Sequence, residues 1–271
     1  IMCGMSAAFS ALFGTPLAAA IFSMEVVSVG IMHYSALVPC VIASLTAHGI
    51  ASACGIAPEI FPIASIPAFT PKNALIIGIF AVLCALVSIL FCTTLHNAER
   101  LYKRFFKNPY VRALTGGLIV IGLTMLVGNQ TYNGTGMNII SGCMEGKTVF
   151  PLAFLLKMIF TAATLGAGYK GGEIVPTLFI GSTFGAFFAS AFGCSIPLCA
   201  AVGMGAVFCG VTNSPITSLM ICFELFGFDG MPYFLIAIAL SYMLSGYYGL
   251  YSSQKIIYSK YKTEYINRKT H

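Results

Sequence analysis

The sequence predicts an all-α membrane protein: an inverted-repeat bundle of broken and half-membrane helices, with the first part of the N-terminal repeat missing. Three observations predict it. Of 271 residues, 58% are hydrophobic and 8% charged, with mean hydropathy +0.90. A soluble domain carries about 25% charged residues, so this chain lacks the polar faces to cover its apolar runs, and lipid must cover them. Second, the apolar runs fall at 4–24, 35–57, 74–95, 113–127, 149–166, 174–192, 197–211, 214–227 and 231–250. A straight crossing takes about 20 such residues, so several runs are short or broken. Third, two of the broken runs share one pattern.

That pattern opens the chain. GMSAAFSALFGTPLAAAIFSME (Gly4 to Glu25) returns as GMGAVFCGVTNSPITSLMICFE (Gly203 to Glu224). Matching positions include Gly4/Gly203, Phe9/Phe208, Pro16/Pro215 and Glu25/Glu224. Gly-Thr-Pro and Asn-Ser-Pro each stop one helix and start another, with Thr15 or Ser214 expected to cap the new helix ahead of a first-turn proline. Paired broken helices in corresponding halves point to an inverted-repeat transporter, whose site lies where the helix ends meet near the bilayer midplane. Chain entry at the second broken helix of the first half, with no charged leader before Ile1, reads as a C-terminal fragment without a signal peptide.

The runs 35–57 and 74–95 lead to a basic cluster, Arg100, Lys103, Arg104, Lys107 and Arg112, and a second cluster, Lys255, Lys260, Lys262, Arg268 and Lys269, closes the chain. Basic flanks face the cytoplasm. An even number of crossings between them fits the six runs from 113 to 250. The predicted organisation is therefore a transmembrane domain over 1–254 and a short basic cytoplasmic tail over 255–271. The net charge of +6 belongs to these flanks, and the chain lacks the soluble basic face that nucleic acid requires. After 113–127 comes the turn-rich stretch Gly128–Lys147, expected to be an exposed outer loop. Its Asn133-Gly134-Thr135 matches a glycosylation acceptor pattern that has no meaning in a bacterium.

Between the runs 149–166 and 174–192 stands GYKGGEIVPTLFIG (Gly168 to Gly181). Gly166, Gly168, Gly171 and Gly172 interrupt a helix, and Pro176 suits the first turn of the next. The helix expected over Glu173–Phe192 presents unpaired N–H groups and a positive dipole end, which suit an anion. Non-helical backbone at membrane depth survives only where protein buries it or water lines it, and an ionisable residue there is functional by default. Glu173, desolvated beside an anion, is thus a candidate proton carrier, and Lys170 is expected to reach for the interface. Glu25 and Glu224, ending equivalent helices, are read as structural carboxylates. Tyr251 follows the last run with a hydroxyl able to donate to an anion.

Other chemistries fit poorly. Ten cysteines lie largely in apolar runs without a CxxC pair, as structural thiols do. His33, His48, His96 and His271 show no metal-ligand spacing, so neither metal nor other cofactor is expected. An intramembrane hydrolase using Ser6 or Ser10 with His33 lacks a nucleophile elbow; no enzymatic activity is expected. A scaffold in which Glu173 merely caps its helix is the bland alternative.

These motifs, in this order, resemble the CLC family of chloride channels and anion/proton antiporters over essentially the whole chain. GGEIVP (Gly171 to Pro176) resembles the family's GxFxP anion-binding signature, GTPLAAAIFSME its APLAGxLFxxE helix, NSPITSLMICFE the equivalent late helix, and GLYSS the segment with the central tyrosine. The resemblance implies a homodimer in a prokaryotic plasma membrane, with one anion path per subunit. It implies anion binding at Gly172, Glu173, Ile174 and Tyr251, through the N–H groups of Glu173 and Ile174 and the Tyr251 hydroxyl. Two departures matter. Ile174 replaces the usual aromatic behind an added acid, Glu173, and Val26 stands where chloride/proton antiporters carry an inner proton-relaying glutamate. Both resemble the fluoride-transporting branch, although Val175 replaces its frequent threonine. Fluoride efflux coupled to proton entry is the expectation, with Glu173 as the coupling acid. A chloride channel or chloride/proton exchanger is the alternative. The family's gating glutamate and first anion loop fall upstream of Ile1.

Overall fold

The computed structural model describes residues 1–56, 60–63, 66–262 and 264–270. His271 and the end of the run 35–57 lie outside them. The chain opens with α1 (Met2–Phe13) and α2 (Pro16–Glu25), then β1 (Ser28–Val29), a 3-10 turn (Tyr34–Ala36) and α3 (Leu37–Ala53). There follow α4 (Pro71–Phe105), α5 (Pro109–Val127), α6 (Met137–Met144), α7 (Ala153–Gly166) and α8 (Ile174–Phe192). The last helices are α9 (Ile196–Thr212), α10 (Pro215–Phe226) and α11 (Met231–Leu244), before β2 (Lys255–Tyr258) and β3 (Tyr265–Lys269). The 3-10 turn continuing into α3, together with α4, α5 and α8, is long and apolar enough to cross a membrane.

The centre of the bundle is α9, with every residue from Leu198 to Thr212 buried. A helix that is apolar all round belongs inside a large core. It packs most closely on α8, where a Cβ added to Gly181 would stand 2.4 Å from the Gly203 carbonyl oxygen and one on Gly185 2.1 Å from that of Cys199. Small residues let the two backbones touch, which replaces hydrophobic drive as the source of attraction in lipid. The 35-residue α4 lays Phe80, Cys84, Phe91 and Cys92 against this core, and Ser88 Oγ reaches the Val207 carbonyl at 3.3 Å. At about 1.5 Å per residue α4 outruns the hydrocarbon thickness, and its last turn, with Lys103 and Arg104, projects beyond it. By contrast, α5 buries only Gly116 among its residues, as a lipid-facing helix does.

The two broken helices have the same form. α1 ends at Gly14 with φ 70°, and α9 ends at Asn213 with φ 59°, each left-handed. Glycine takes that conformation freely and asparagine tolerates it. Pro16 and Pro215 then start α2 and α10. The expected Thr15 and Ser214 caps are absent: neither side chain accepts from its helix, and Thr15 Oγ1 is buried without a partner among the described residues. The caps come instead from the opposite repeat. Glu224, near the end of α10, accepts from the N–H groups of Leu17 (3.0 Å) and Ala18 (2.8 Å) at the start of α2. Glu25, ending α2, accepts from the N–H groups of Ile216 (3.1 Å) and Thr217 (2.8 Å) and from Thr217 Oγ1 (2.6 Å) at the start of α10. A carboxylate meets two orphan donors and the positive dipole end of a helix.

Three expectations change. The stretch Gly128–Lys147 contains α6, which buries Ile140 and Cys143 against α8 and α9, so it is only partly an exposed loop. At 19 residues α8 is long and apolar enough to cross a membrane, where the glycine-broken start suggests a half-membrane helix. The basic tail is folded: β2 pairs parallel with β1 and antiparallel with β3.

Candidate functional site

Arg112 and Tyr169 build the turn that precedes α8. Arg112 Nε donates to the Ala167 carbonyl at 3.2 Å and Tyr169 Oη to that of Ala113 at 2.9 Å, tying residues 167–169 to the start of α5. Gly168 makes the turn at φ 98°, a conformation that side chains disfavour, with the Arg112 guanidinium against it. Gly171 and Gly172 then run exposed to Glu173.

Glu173 is the N-cap of α8, yet its carboxylate caps nothing. Among the described residues it accepts no hydrogen bond, while its carbonyl holds Thr177 N–H at 3.2 Å and Thr177 Oγ1 at 2.8 Å. The N–H groups of Glu173, Ile174 and Val175 have no acceptor among the described residues, and Pro176 has no N–H to contribute. A helix start with free donors and a half-buried, uncommitted acid can hold an anion or a proton.

Two cavities border this turn. One of about 630 Å³ is lined by Glu99, Lys103, Arg112, Lys170, Gly171 and Glu173. Lys170, expected at the interface, is exposed there. The other, about 580 Å³, is lined by Gly171, Gly172, Val175, Pro176, Tyr132 and Lys157. Lys157 is buried; its Nζ donates to the carbonyls of Tyr132 (3.1 Å) and Gly134, 5.1 Å above the Phe179 ring. A third cavity brings Arg100 and Lys103 beside Ser252 and the tail residue Thr270.

Tyr251 lies in the turn after α11, partly buried against the core. Its hydroxyl has no hydrogen-bond partner among the described residues, and it is within electrostatic reach of Glu173. The structure thus brings Gly172, Glu173, Ile174 and Tyr251 to one neighbourhood. Glu25 and Glu224 stand apart from it, each bound to a helix start. Val26 is buried immediately beyond Glu25. The serine and histidine weighed for hydrolysis do not meet: Ser6 and Ser10 donate to the carbonyls of Cys40 and Ser44, and His33 faces Ser28 at 3.4 Å.

Sequence reasoning missed the frame behind Tyr251. Gln254 Nε2 donates to the carbonyls of Val26 and Thr212, both at 2.8 Å. Asn213 Nδ2 donates to Gln254 Oε1 and to the Tyr248 carbonyl, both at 3.0 Å. Thr270 Oγ1 reaches the Tyr251 carbonyl at 2.7 Å. The signal available in the sequence was Asn213 at a helix-ending Asn-Ser-Pro; nothing local marks Gln254 or Thr270.

Fold and site together define a multi-pass integral membrane protein with an inverted repeat and an anion-ready helix start. The profile of the voltage gated chloride channel family matches residues 1–246, and the chain belongs to that family. Its members are channels and transporters rather than enzymes, and bacterial relatives place it in a prokaryotic plasma membrane. A chloride/fluoride channel protein of Pseudomonas syringae is 33% identical over 267 residues, 96% of this chain and 59% of that protein. The voltage-gated ClC-type chloride channel ClcB of Salmonella typhimurium is 27% identical over 259 residues, 90% of this chain and 61% of its own length. The crystal structure of a CLC-type fluoride/proton antiporter superposes with TM-score 0.90 at 32% identity, covering 93% of this chain and 64% of that one. A eukaryotic CLC transporter, at TM-score 0.69 and 19% identity over 90% of this chain and 43% of that one, shares the fold. The chain spans about three-fifths of the length of these curated relatives.

Proposed function

We propose that the protein carrying this chain is a CLC-type anion transporter that exchanges fluoride for protons, expelling fluoride as protons enter. The observation that carries this reading is Glu173: an acid at the start of α8 whose carboxylate makes no hydrogen bond among the described residues, beside N–H groups that are equally uncommitted. Ionised, the carboxylate competes with an anion for the same donors. Protonated, it becomes a donor itself, and the anion takes its place. Fluoride is small and a strong acceptor, so replacing its hydration takes several good donors. The backbone of Gly172, Glu173 and Ile174 and the hydroxyl of Tyr251 supply them, and two cavities border the same turn.

Val26 supports the same reading from the inner side, since a valine cannot pass protons. Coupling through Glu173 needs no acid there. Glu25 and Glu224 act as structural carboxylates, each occupied by the other repeat. The working unit is a homodimer in the lipid bilayer with one path per subunit, the tail on the cytoplasmic side.

The test is halide flux from liposomes holding the complete protein, read with fluoride and chloride electrodes. Fluoride release at least tenfold faster than chloride is expected. Equal rates, or faster chloride, would replace this reading with a chloride channel or chloride/proton exchanger.

A further inference from the structure

Lys260 belongs to the tail, beyond the residues matched by the family profile, and the site described above does not use it. Its ammonium is half-buried between the ends of two helices. Nζ donates to Asn213 Oδ1, the residue that ends α9, and to the Tyr242 carbonyl (3.0 Å) and Ser245 Oγ (3.1 Å) at the end of α11. It also lies 4.4 Å over the Tyr242 ring. All three N–H groups are therefore used. No carboxylate is among its partners, and the ion pairs of the described residues, Lys103 with Glu99 and Lys147 with Glu145, leave it out. Its charge is spent on helix ends.

One of those ends is tied to the site. Asn213 closes α9 and, through Gln254, is joined to the turn holding Tyr251. Cys92 lies within electrostatic reach of both Glu173 and Lys260. A helix C-terminus carries about half a negative charge. Two together at the inner side of an anion site amount to about one repelling charge, at a range and in surroundings where screening is weak. Resting on the anion-transport reading above, we propose that Lys260 is a positioning counter-charge: it neutralises the carbonyl ends of α9 and α11 so that an anion can approach Tyr251 from the cytoplasmic side.

The sequence shows it only as one of five basic tail residues. The fold gives it a distinct place, because the β2–β3 hairpin turns the tail back onto the helix ends and carries Lys260 there. A simple lock, tying the tail to the bundle, would need hydrogen bonds but no net charge.

The experiment measures anion flux in liposomes for the complete protein and its K260R, K260M and K260E variants, each checked for a monodisperse, folded state. For whichever halide the parent carries, K260R is expected to hold its rate within about twofold, K260M to fall about tenfold and K260E further still. To separate charge from shape, K260C is measured after alkylation with 2-bromoethylamine, which restores an amine, and after methylation, which does not; the parent treated likewise is the control. Recovery with the amine alone is expected. Parental rates in K260M, equal losses in K260M and K260E, or no recovery with the amine would overturn the proposal. Anion flux absent from the parent would overturn the transport reading and this inference with it, whereas a preference for chloride would overturn only the choice of fluoride.

Discussion

At the scale of single residues, what each acid holds sets its role. The chain has eight carboxylate side chains; among the described residues Glu25 is buried, and Glu173 and Glu224 are half-buried at helix ends. Glu25 and Glu224 hold backbone N–H groups; Glu173 holds none among the described residues. That contrast could not be read from spacing, because all three sit at the ends of apolar runs. What was legible was that glycines and a proline around Glu173 forbid continuous helix there. Tyr251 was legible only through the family resemblance, since a tyrosine at a membrane end is ordinarily an interface residue. The prediction at this scale is E173Q, which keeps the shape of the side chain and its acceptor but cannot ionise. Proton uptake driven by fluoride efflux, followed with a pH dye inside liposomes, is expected to fall at least tenfold. Undiminished coupled uptake would return Glu173 to the role of a helix end with no transport chemistry.

At the scale of elements, the repeat was visible as shared Gly, Pro and Glu positions, but its physical content was not. Sequence rules favour a local serine or threonine cap. The fold overrides them because each glutamate, one helix length beyond its own proline, reaches the start of its counterpart helix in the other repeat. Only tertiary packing creates that reach, over more than 190 residues of separation. The prediction follows from the count of donors. E25A strands two N–H groups and the Thr217 hydroxyl in a buried place, and should lower unfolding stability in detergent by about 2–3 kcal/mol. E224A strands two donors in a half-exposed place and should cost less. Equal losses, or none in E25A, would mean that the cross-repeat clasp does not hold the halves together. The same limit explains α6 and the tail hairpin: these elements form by packing on α8, α9 and β1, and are too short to stand out in the sequence as separate apolar runs.

At the scale of the whole molecule, composition alone announced a membrane protein, and two basic clusters announced that the segments between them begin and end on one side. The structure lays the first cluster along two cavities, one of which also meets the tail at Thr270. Which parts of the path face one another was not legible, because α4, α8, α9 and the Tyr251 turn meet through contacts far apart in sequence. Two cavities border one glycine-broken turn, and Glu173 lines one of them. Proton and anion movement through a common point is the central claim. It is tested most directly by loading liposomes with equal fluoride inside and out, imposing a pH gradient that is acidic outside, and following internal fluoride with an electrode after detergent release. The account predicts fluoride leaving against its own rising gradient until the proton gradient is spent. Fluoride that stays level under the pH gradient, in a preparation that dissipates a fluoride gradient freely, would contradict it and describe a channel instead.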